Sequence, residues 1–292
     1  MTGTSPPRTA NLRGSLYMTL AMLGFAAEDM FLKTATRTLP VGEVLVIFGT
    51  GGMILFAILT RARGERVLHR AILTPTILTR AAFEVTGRLF HTLAITFTTL
   101  SATSAILQST PLIVVAGAAV MFGEKVDWRR WVAIALGFAG ALVILRPGVE
   151  GFTALSLLAV IGTVGFAGRD LATRAAPPVL SNMQLGVYGF FAMVPTGAIL
   201  LAFTGGAAVP GATAGACLAA AIAVGVWSYW MLTRAMRTGE VSVVTPFRYT
   251  RLVFALVLGA AVFRERPDAA TLIGSAIIVA SGLYTLTRSR RG

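Results

Sequence analysis

The sequence is poor in charged residues, in cysteine and in histidine. Only 13% of its 292 residues are charged, against about a quarter in an ordinary soluble domain, so a soluble globular fold of this size is excluded. The single cysteine, Cys217, can form neither an internal disulfide nor a cysteine-based metal site. Neither His69 nor His91 has a second histidine or a glutamate at the spacing of metal ligands, so no metal and no other cofactor is predicted.

The sequence also lacks a glycine-rich phosphate loop of the Walker type, which argues against ATP coupling within the chain. No polar stretch is long enough for a soluble catalytic domain, because the longest connection runs only from Arg61 to Arg70. The net charge of +13 comes from 25 Lys and Arg residues, which lie mostly in short breaks between apolar runs. We interpret these cations as topology signals, and no nucleic-acid partner is predicted.

Apolar residues, in contrast, are abundant along the whole chain. Hydrophobic residues make up 55% of the sequence, the mean hydropathy is +0.78, and there are 31 glycines and 12 prolines, as in helices solvated by lipid. A span needs about 20 mainly apolar residues. The chain divides into ten such segments, at residues 15–34, 41–60, 72–97, 102–122, 128–146, 153–173, 181–203, 211–233, 241–263 and 268–287. We therefore expect an all-α polytopic membrane protein with ten transmembrane helices.

The connections between these segments carry an uneven charge. Four Lys or Arg residues lie on one side, namely Arg37, Arg146, Arg264 and Arg266. Fifteen lie on the other side: Arg8, Arg13, Arg61, Arg63, Arg66, Arg70, Lys125, Arg129, Arg130, Arg174, Arg234, Arg237, Arg288, Arg290 and Arg291. The positive-inside rule then places both termini in the cytoplasm of a bacterium, with the protein in the inner membrane. No small-residue cleavage site follows the first apolar run, which is expected to remain as the first span.

The chain contains an internal repeat with an offset of 141 residues. Residues 24–29 read GFAAED and residues 165–170 read GFAGRD, while FGEK at 122–125 matches FRER at 263–266. Both matches pair charged residues, which are scarce in this sequence. Each half holds five spans, an odd number, so the second half is expected to be inverted relative to the first. The predicted organisation is a cytoplasmic tail at 1–13, repeats at 14–148 and 149–288, and a second cytoplasmic tail at 289–292.

The fourth and fifth spans of each half carry a family resemblance. The first half reads AILQSTP at 105–111 and then FGE at 122–124, and the second reads VTPF at 244–247 and then FRERP at 263–267. The chain resembles ten-helix members of the drug/metabolite transporter superfamily with two EamA-type repeats, and bacterial aromatic-amino-acid exporters in general pattern. The resemblance covers nearly the whole chain and implies a transporter, in a family that includes exporters of amino acids and other metabolites. Pro111 and Pro246 do not stand at equivalent offsets in the two halves.

Several ionisable residues fall inside the predicted spans, where they are costly and are candidates for function. In span 3, Arg80, Glu84, Arg88 and His91 share one helical face, and Glu84 could pair with either arginine. Further groups are Arg248 and Arg251 in span 9, Glu28, Asp29 and Lys33 in span 1, and Arg169 with Asp170 in span 6. Fixed ion pairs without contact to a ligand are the alternative interpretation. That alternative is strongest for Asp29 with Lys33.

A site with separated positive and negative groups suits a zwitterion, because an arginine binds a carboxylate and a carboxylate binds an ammonium. Arg88 or Arg248 would take the carboxylate, Glu84 the ammonium, and Gln108 would add neutral hydrogen bonds. Aromatic side chains could form an apolar cavity wall, although lipid contact would explain them equally well. The full predicted substrate site is Glu84, Arg88, His91, Gln108, Tyr188, Trp227, Trp230, Arg248 and Tyr249, and a coupling proton could reside on Glu84, His91 or Asp170.

The function predicted from these features is secondary transport, in the direction of export, of amino acids or related small polar metabolites by alternating access. Because arginines outnumber acids on the polar faces, transport of an anionic or nucleotide-like metabolite is an alternative. An intramembrane lipid-modifying enzyme, with Glu84 and His91 as acid and base, is a second alternative. We do not expect the protein to be an enzyme, because inverted repeats give an enzyme no obvious advantage. The predicted partners are the small-molecule substrate and the bilayer, with the protein a monomer or homodimer.

Two smaller expectations concern the ends and the packing of helices. Glu124 and Glu265 lie between successive spans, where capping and dipole matching are the expected roles. Partial small-residue spacing at Gly137 and Gly274 suggests that the fifth and tenth spans pack closely or mediate dimerisation.

Overall fold

A computed structural model describes residues 8–97, 100–146, 154–263 and 268–288, and these ranges are helical, with no strand. The helices are α1 (Arg8–Ala35), α2 (Val41–Ala62), α3 (Pro75–Phe97), α4 (Leu100–Leu107), α5 (Thr110–Phe122), α6 (Trp128–Leu145), α7 (Ser156–Arg174), α8 (Asn182–Thr204), α9 (Ala212–Met236), α10 (Val241–Val244), α11 (Thr250–Phe263) and α12 (Ala269–Arg288). Single 3₁₀ turns cover Arg70–Leu73 and Thr245–Tyr249. The predicted tail at 289–292 and the repeat motif at 264–267, with Glu265, lie outside the described residues.

Six helical stretches of the described chain are long and apolar enough to cross a membrane. They are Thr9–Ala35, Val41–Ala62, Trp128–Leu145, Asn182–Thr204, Ala212–Met236 and Val241–Ala261. Two further apolar helices, Thr110–Phe122 and Ala269–Thr285, are shorter. Helices α3 and α7 are less apolar because each carries charged residues along its length. The chain is therefore a polytopic helical membrane protein, whereas the count of ten spans stays a prediction.

The fourth and ninth predicted spans are not continuous helices. Helix α4 ends at Leu107, and α5 begins at Thr110 with Pro111 in its first turn. Helix α10 has only four residues before the 3₁₀ turn that contains Pro246, and α11 follows. A proline has no backbone N–H and clashes with the preceding helical turn, so each break has a local cause. Although the prolines are not at equivalent offsets, both repeats acquire an interrupted helix.

The helix packing repeats itself under the 141-residue offset. Helix α1 packs on α9, and α7 packs on α3, so each pair is the equivalent of the other. The crossing of α1 and α9 brings Gly24 against Ser228, and that of α7 and α3 brings Gly165 against Gly87. These residues correspond, because 24 + 141 = 165 and 87 + 141 = 228. The duplication seen in the sequence therefore reappears as two equivalent interfaces.

The remaining large contacts join each helix to its own repeat equivalent, α2 to α8 and α6 to α12. Between α6 and α12, Gly140 meets the backbone of Gly274, and Ser281 donates a 2.6 Å hydrogen bond to the Ala133 carbonyl. The small residues of these spans thus serve packing within one chain. Between α2 and α8, the rings of Phe48, Phe56 and Phe190 lie together in the core.

The connections gather at two ends of the helical bundle. We call one the basic end; it contains residues 8–11, 61–74, 123–130, 175–181 and 237–240. There the Glu240 amide donates to Asn11 Oδ1 at 2.8 Å, and Arg237 donates to the Leu180 carbonyl at 2.8 Å. At the opposite end, called the far end, the Ala208 amide donates to Glu43 at 3.0 Å, and Arg146 pairs with Asp268. The connections that the sequence groups by their excess of Lys and Arg therefore lie together at the basic end.

Glu124 has the capping role that its position predicted, but across helices. Its carboxylate accepts hydrogen bonds from the amides of Val241 at 3.0 Å and Ser242 at 3.1 Å, the first two residues of α10. Arg130 pairs with Glu240 at 2.5 Å beside this contact. Since the amides at a helix N-terminus have no partner within their helix, Glu124 ties the first repeat to the interrupted ninth span.

Candidate functional site

A cluster of polar side chains lies buried between α3, α7, α9 and the 3₁₀ turn, on the side of the basic end. We call it the buried charge network; its members are Arg80, Glu84, Arg169, Asp170, Tyr229 and Arg248. The Tyr229 hydroxyl links the first two, because it accepts from Arg80 Nη2 at 2.6 Å and donates to Glu84 Oε2 at 2.7 Å. Arg80 also donates through Nε to Thr173 Oγ1 at 2.9 Å.

Arg169 connects the two carboxylates of the network. It donates to Glu84 Oε1 at 3.2 Å and to Asp170 Oδ1 at 2.8 Å. The second oxygen of Asp170 pairs with Arg248 of the 3₁₀ turn. Glu84, Asp170 and Arg80 are at most 1% exposed. Buried charges are tolerated when they are paired and hydrogen-bonded, so the network joins three helices and the turn into a closed layer.

This arrangement differs from two expectations about Glu84. The ion-pair partner of Glu84 is Arg169 of another helix, not Arg80 or Arg88 of its own. Because both oxygens of Glu84 are engaged and the residue is fully buried, the structure offers no free carboxylate there for a substrate ammonium. Tertiary contact decides this pairing, since the helical face alone leaves both neighbours equally placed.

A second group, the central polar group, consists of Glu28, Arg88 and His91. Each has a buried polar atom without a hydrogen-bond partner in the described part of the chain: Glu28 Oε2, Arg88 Nε and His91 Nδ1. Arg88 and His91 both lie near the ring of Phe166, at 5.9 Å from guanidinium carbon to ring centroid and 5.7 Å between ring centroids. Buried polar atoms are normally satisfied, so this group has unused capacity to bind a polar ligand.

Side-chain burial along α3 differs between its two halves. Residues 88–93 are all partly exposed, whereas Ile77, Arg80, Glu84 and Gly87 nearer the basic end are buried. Asp29 lies beyond the central group toward the far end, and its side chain is 52% exposed. Its helix α1 turns Leu12, Leu16 and Leu23 outward on a different face. The helices are therefore packed more closely around the buried charge network than around residues 88–93 of α3.

Asp29 and Arg251 form a partly exposed ion pair on the side of the far end. Arg251 donates from Nε to Asp29 Oδ2 at 3.0 Å and from Nη2 to Oδ1 at 2.6 Å. The expected pair of Asp29 with Lys33 is therefore wrong. A two-pronged arginine–carboxylate contact is geometrically favourable, and the packing of α1 on α11 brings Arg251 within reach.

The other predicted site residues lie in different parts of the bundle. Gln108 lies at the break between α4 and α5 and is partly exposed. Arg248 is held by Asp170. Tyr249 is 1% exposed and packs against Gly137 of α6, while its hydroxyl has no partner among the described residues. The structure therefore brings Arg248 into the buried charge network, whereas Tyr249 points toward the α6–α12 side.

Three predicted aromatic residues lie apart from the central polar group. The Tyr188 hydroxyl donates to the Val67 carbonyl at 2.9 Å, in the long connection at the basic end. Trp230 lies beneath the guanidinium groups of Arg63 and Arg234, at 5.8 and 4.8 Å from ring centroid to guanidinium carbon. Trp227 is 37% exposed and contacts α1 beside Gly24. These contacts do not test the assignment of the three residues to the substrate site, which stays a prediction.

Glu28 is the residue that sequence reasoning left out of the predicted site. It was noted only as one of several charges in span 1. A signal was available, because Glu28 lies on the helix face opposite Leu12, Leu16 and Leu23 and must face the protein interior if those leucines face lipid. No group of three metal-ligating side chains occurs in the residues that the structure describes.

Comparison with known proteins gives relatives of nearly full length. The chain is 25% identical over 279 residues to the riboflavin transporter of Rhizobium johnstonii, covering 95% of this chain and 92% of that protein. It is 24% identical over 280 residues to the pseudopaline exporter CntI of Pseudomonas aeruginosa, covering 96% and 97%. The S-adenosylmethionine uptake transporter of Rickettsia felis is 24% identical over 70% of this chain and 69% of its own length.

A solved crystal structure shares the fold. It superposes with a TM-score of 0.78 at 18% sequence identity, covering 95% of this chain and 98% of that one. The family model described as the EamA-like transporter family matches twice, at residues 12–146 and 152–287, close to the two repeats that the 141-residue offset defines. The chain belongs to the EamA-like transporter family of the drug/metabolite transporter superfamily, and its two halves are two EamA repeats.

Proposed function

We propose that this protein is a secondary transporter that exports amino acids or related zwitterionic metabolites across a bacterial inner membrane. The observation that carries the proposal is the contrast between the buried charge network, whose carboxylates are ion-paired, and the central polar group, whose buried polar atoms have no partner in the described residues. We infer a polar cavity at the central group that the network closes at the basic end and that opens at the far end. Such a cavity is one of the two end states that alternating access requires. The inverted arrangement of two five-helix repeats would supply the other state by exchanging the roles of the equivalent interfaces α1–α9 and α7–α3.

The direction of opening follows from the charge distribution. The basic end carries the excess of Lys and Arg, which supports a cytoplasmic position for that end and for both termini. The cavity would then face the periplasm in the present state, and export would require the buried charge network to open. Its six members would have to separate or exchange partners for a substrate to enter from the cytoplasm.

Arg88 is the proposed carboxylate site. Its guanidinium lies in the partly exposed segment of α3, and its Nε has no partner among the described residues, whereas Arg80, Arg169 and Arg248 are already engaged. We propose that Gln108, at the break of the fourth span, adds a neutral hydrogen bond. The named relatives carry riboflavin, pseudopaline and S-adenosylmethionine, which supports a small polar substrate without selecting one.

An anionic metabolite is the second candidate, favoured by the two arginines Arg88 and Arg251 at the cavity. An intramembrane enzyme has less support, because the acid and base that it requires, Glu84 and His91, belong to different groups in the structure. Glu84 is locked in the buried charge network, and His91 faces the cavity.

The test is a counterflow screen with the purified protein in liposomes, using labelled amino acids, carboxylic acids, nucleosides and sugars. We expect exchange of at least one amino acid, and Arg88→Gln should reduce that exchange by about tenfold, corresponding to about 1.4 kcal/mol of lost binding. Arg63→Gln, in the basic connection, is the matched control and should exchange as the unmodified protein does. Exchange of simple carboxylic acids without amino acids would select the anionic candidate, and a chemically altered product would contradict transport.

A further inference from the structure

Glu28 has an unusual position for an acidic side chain. It is 3% exposed, and its Oε2 accepts no hydrogen bond within the described residues. Gly225, near the middle of α9, lies directly opposite: a Cβ atom there would come within 3.0 Å of Glu28 Oε2 and 2.7 Å of the Phe48 ring. The carboxyl group is therefore enclosed by glycine backbone and an aromatic ring on the sides of α9 and α2.

The charged groups near Glu28 come from three helices, and none binds it directly. Arg88 of α3, Arg251 of α11 and the neighbouring Asp29 act on it electrostatically, and the same two arginines act on His91 of α3. No ion pair in the described ranges includes Glu28, while Arg251 is engaged by Asp29 and Arg248 of the 3₁₀ turn by Asp170. On α9, Ser228 donates its hydroxyl proton to the Val224 carbonyl and not to Glu28.

A buried carboxylate that accepts no hydrogen bond is strongly unfavourable, whereas the neutral acid is tolerated at much lower cost. We propose, on the basis of the proposed transport function, that Glu28 carries the proton that couples transport to the proton gradient. Of the predicted carriers Glu84, His91 and Asp170, this assignment replaces the two carboxylates. The Glu84 oxygens are engaged by Arg169 and Tyr229, and the Asp170 oxygens by Arg169 and Arg248.

The proton has a short route to solvent. Asp29 is the next residue, on the side of the far end, and its side chain is half exposed. In the present state a hydronium ion from the far end protonates Glu28 and leaves a water molecule. After the cavity reverses, the O–H bond of Glu28 breaks and the proton passes to a water molecule at the basic end, while the remaining carboxylate faces Arg88. One proton then moves inward for each substrate molecule that is exported.

Infrared spectroscopy of the purified protein at neutral pH tests the protonation without any substrate. A protonated carboxyl group gives a C=O stretching band that shifts in D₂O, and an ionised one does not. We expect Glu28→Gln to abolish one such band and Asp29→Asn, the matched control at an ion-paired carboxylate, to retain it. Thermal unfolding should show that both variants are folded. A band that persists in Glu28→Gln, or no protonated carboxyl band in the unmodified protein, would overturn the proposal.

Transport then tests coupling separately from protonation. For a compound that the unmodified protein moves, an imposed pH gradient should accelerate flux, and Glu28→Gln should exchange that compound with no response to the gradient. A gradient response equal to that of the unmodified protein would refute the assignment. Loss of exchange as well would assign Glu28 to substrate binding and also overturn it. If no compound is transported, the proposed function fails, while the infrared band still reports the state of Glu28.

Discussion

The dyads Glu28–Asp29 and Arg169–Asp170 occupy equivalent positions in the two repeats, yet their surroundings are opposite. Asp170 is 1% exposed and bound by Arg169 and Arg248, whereas the Asp29 side chain is 52% exposed and bound by Arg251. Arg169 makes two ion pairs, and its counterpart Glu28 makes none within the described residues. One half of a duplicated scaffold is thus closed by charge pairing, and the other is left open with a carboxyl group available.

The comparison also shows how the ninth span couples the halves. Arg248 and Arg251 are three residues apart, and they bind Asp170 of the second repeat and Asp29 of the first. Both aspartates therefore depend on one short, interrupted segment. A movement of that segment would change both pairs together, which is the property expected of an element that switches between two states.

Among the substitutions that test the contrast between the two dyads, the removal of Arg169 should lower the free energy of unfolding most. Arg169→Ala would leave Glu84 and Asp170 buried without their shared cation, and breaking a buried pair in this way costs about 3–5 kcal/mol. The free energy of unfolding of the purified protein, measured in mixed detergent with a denaturing component, reports this loss. Arg251→Ala at the exposed pair is the control and should cost less than about 1 kcal/mol. Equal losses in the two variants would contradict the contrast between the dyads.

Removal of the Tyr229 hydroxyl from the buried charge network should lower the free energy of unfolding by an intermediate amount. Tyr229→Phe deletes the group that bridges Arg80 and Glu84, and a buried charge that loses its hydrogen bond costs about 1–3 kcal/mol. Tyr249→Phe provides the matched control, because its hydroxyl is buried without a partner in the described chain, so the variant should be as stable as the unmodified protein. Thermal unfolding of both variants distinguishes them, and a larger loss for Tyr249→Phe would refute the network.

A larger side chain at the close crossing of α7 and α3 should lower the free energy of unfolding by a similar or smaller amount. A Cβ atom at Gly165 would lie 2.5 Å from the Gly87 amide nitrogen, and backbone cannot yield as a side chain can, so Gly165→Ala should lose about 1–3 kcal/mol. Gly215→Ala, in α9 with open space around it, should instead gain about 0.4–1 kcal/mol. Unfolding measurements that give both variants the same sign would show that the crossing is not tightly packed.

Neutralising the open half should have the smallest effect on stability. Asp29→Asn removes one partner of a partly exposed ion pair, which contributes about 0.2–1 kcal/mol. Asp170→Asn, the equivalent change in the closed half, should be several times more destabilising because Arg169 and Arg248 are buried against it. The comparison uses the same unfolding assay for both variants. A large loss for Asp29→Asn would indicate that its pair also supports the fold.

The membrane class, the duplication and the family were accessible from the sequence, because apolar composition and a repeated pattern such as Gly24–Asp29 and Gly165–Asp170 do not depend on tertiary contacts. The role of Glu124 was also predictable, since a carboxylate between two helices commonly meets free backbone amides. The breaks at Gln108 and at Thr245–Tyr249 were missed, because apolar runs continue through them and lipid tolerates proline within a span.

Which charges pair and which stay free was decided only by the tertiary structure. The sequence by itself determined that Glu28, Glu84, Asp29 and Asp170 are carboxylates within apolar helices, and that most of them need a cation. The partner of Glu84 is 85 residues away in the sequence, and the partner of Asp29 is 222 residues away. Helix packing brings these residues together. In a low-dielectric interior the nearest well-aligned cation dominates, so three-dimensional proximity enclosed Glu84 and left Glu28 without an ion pair among the described residues.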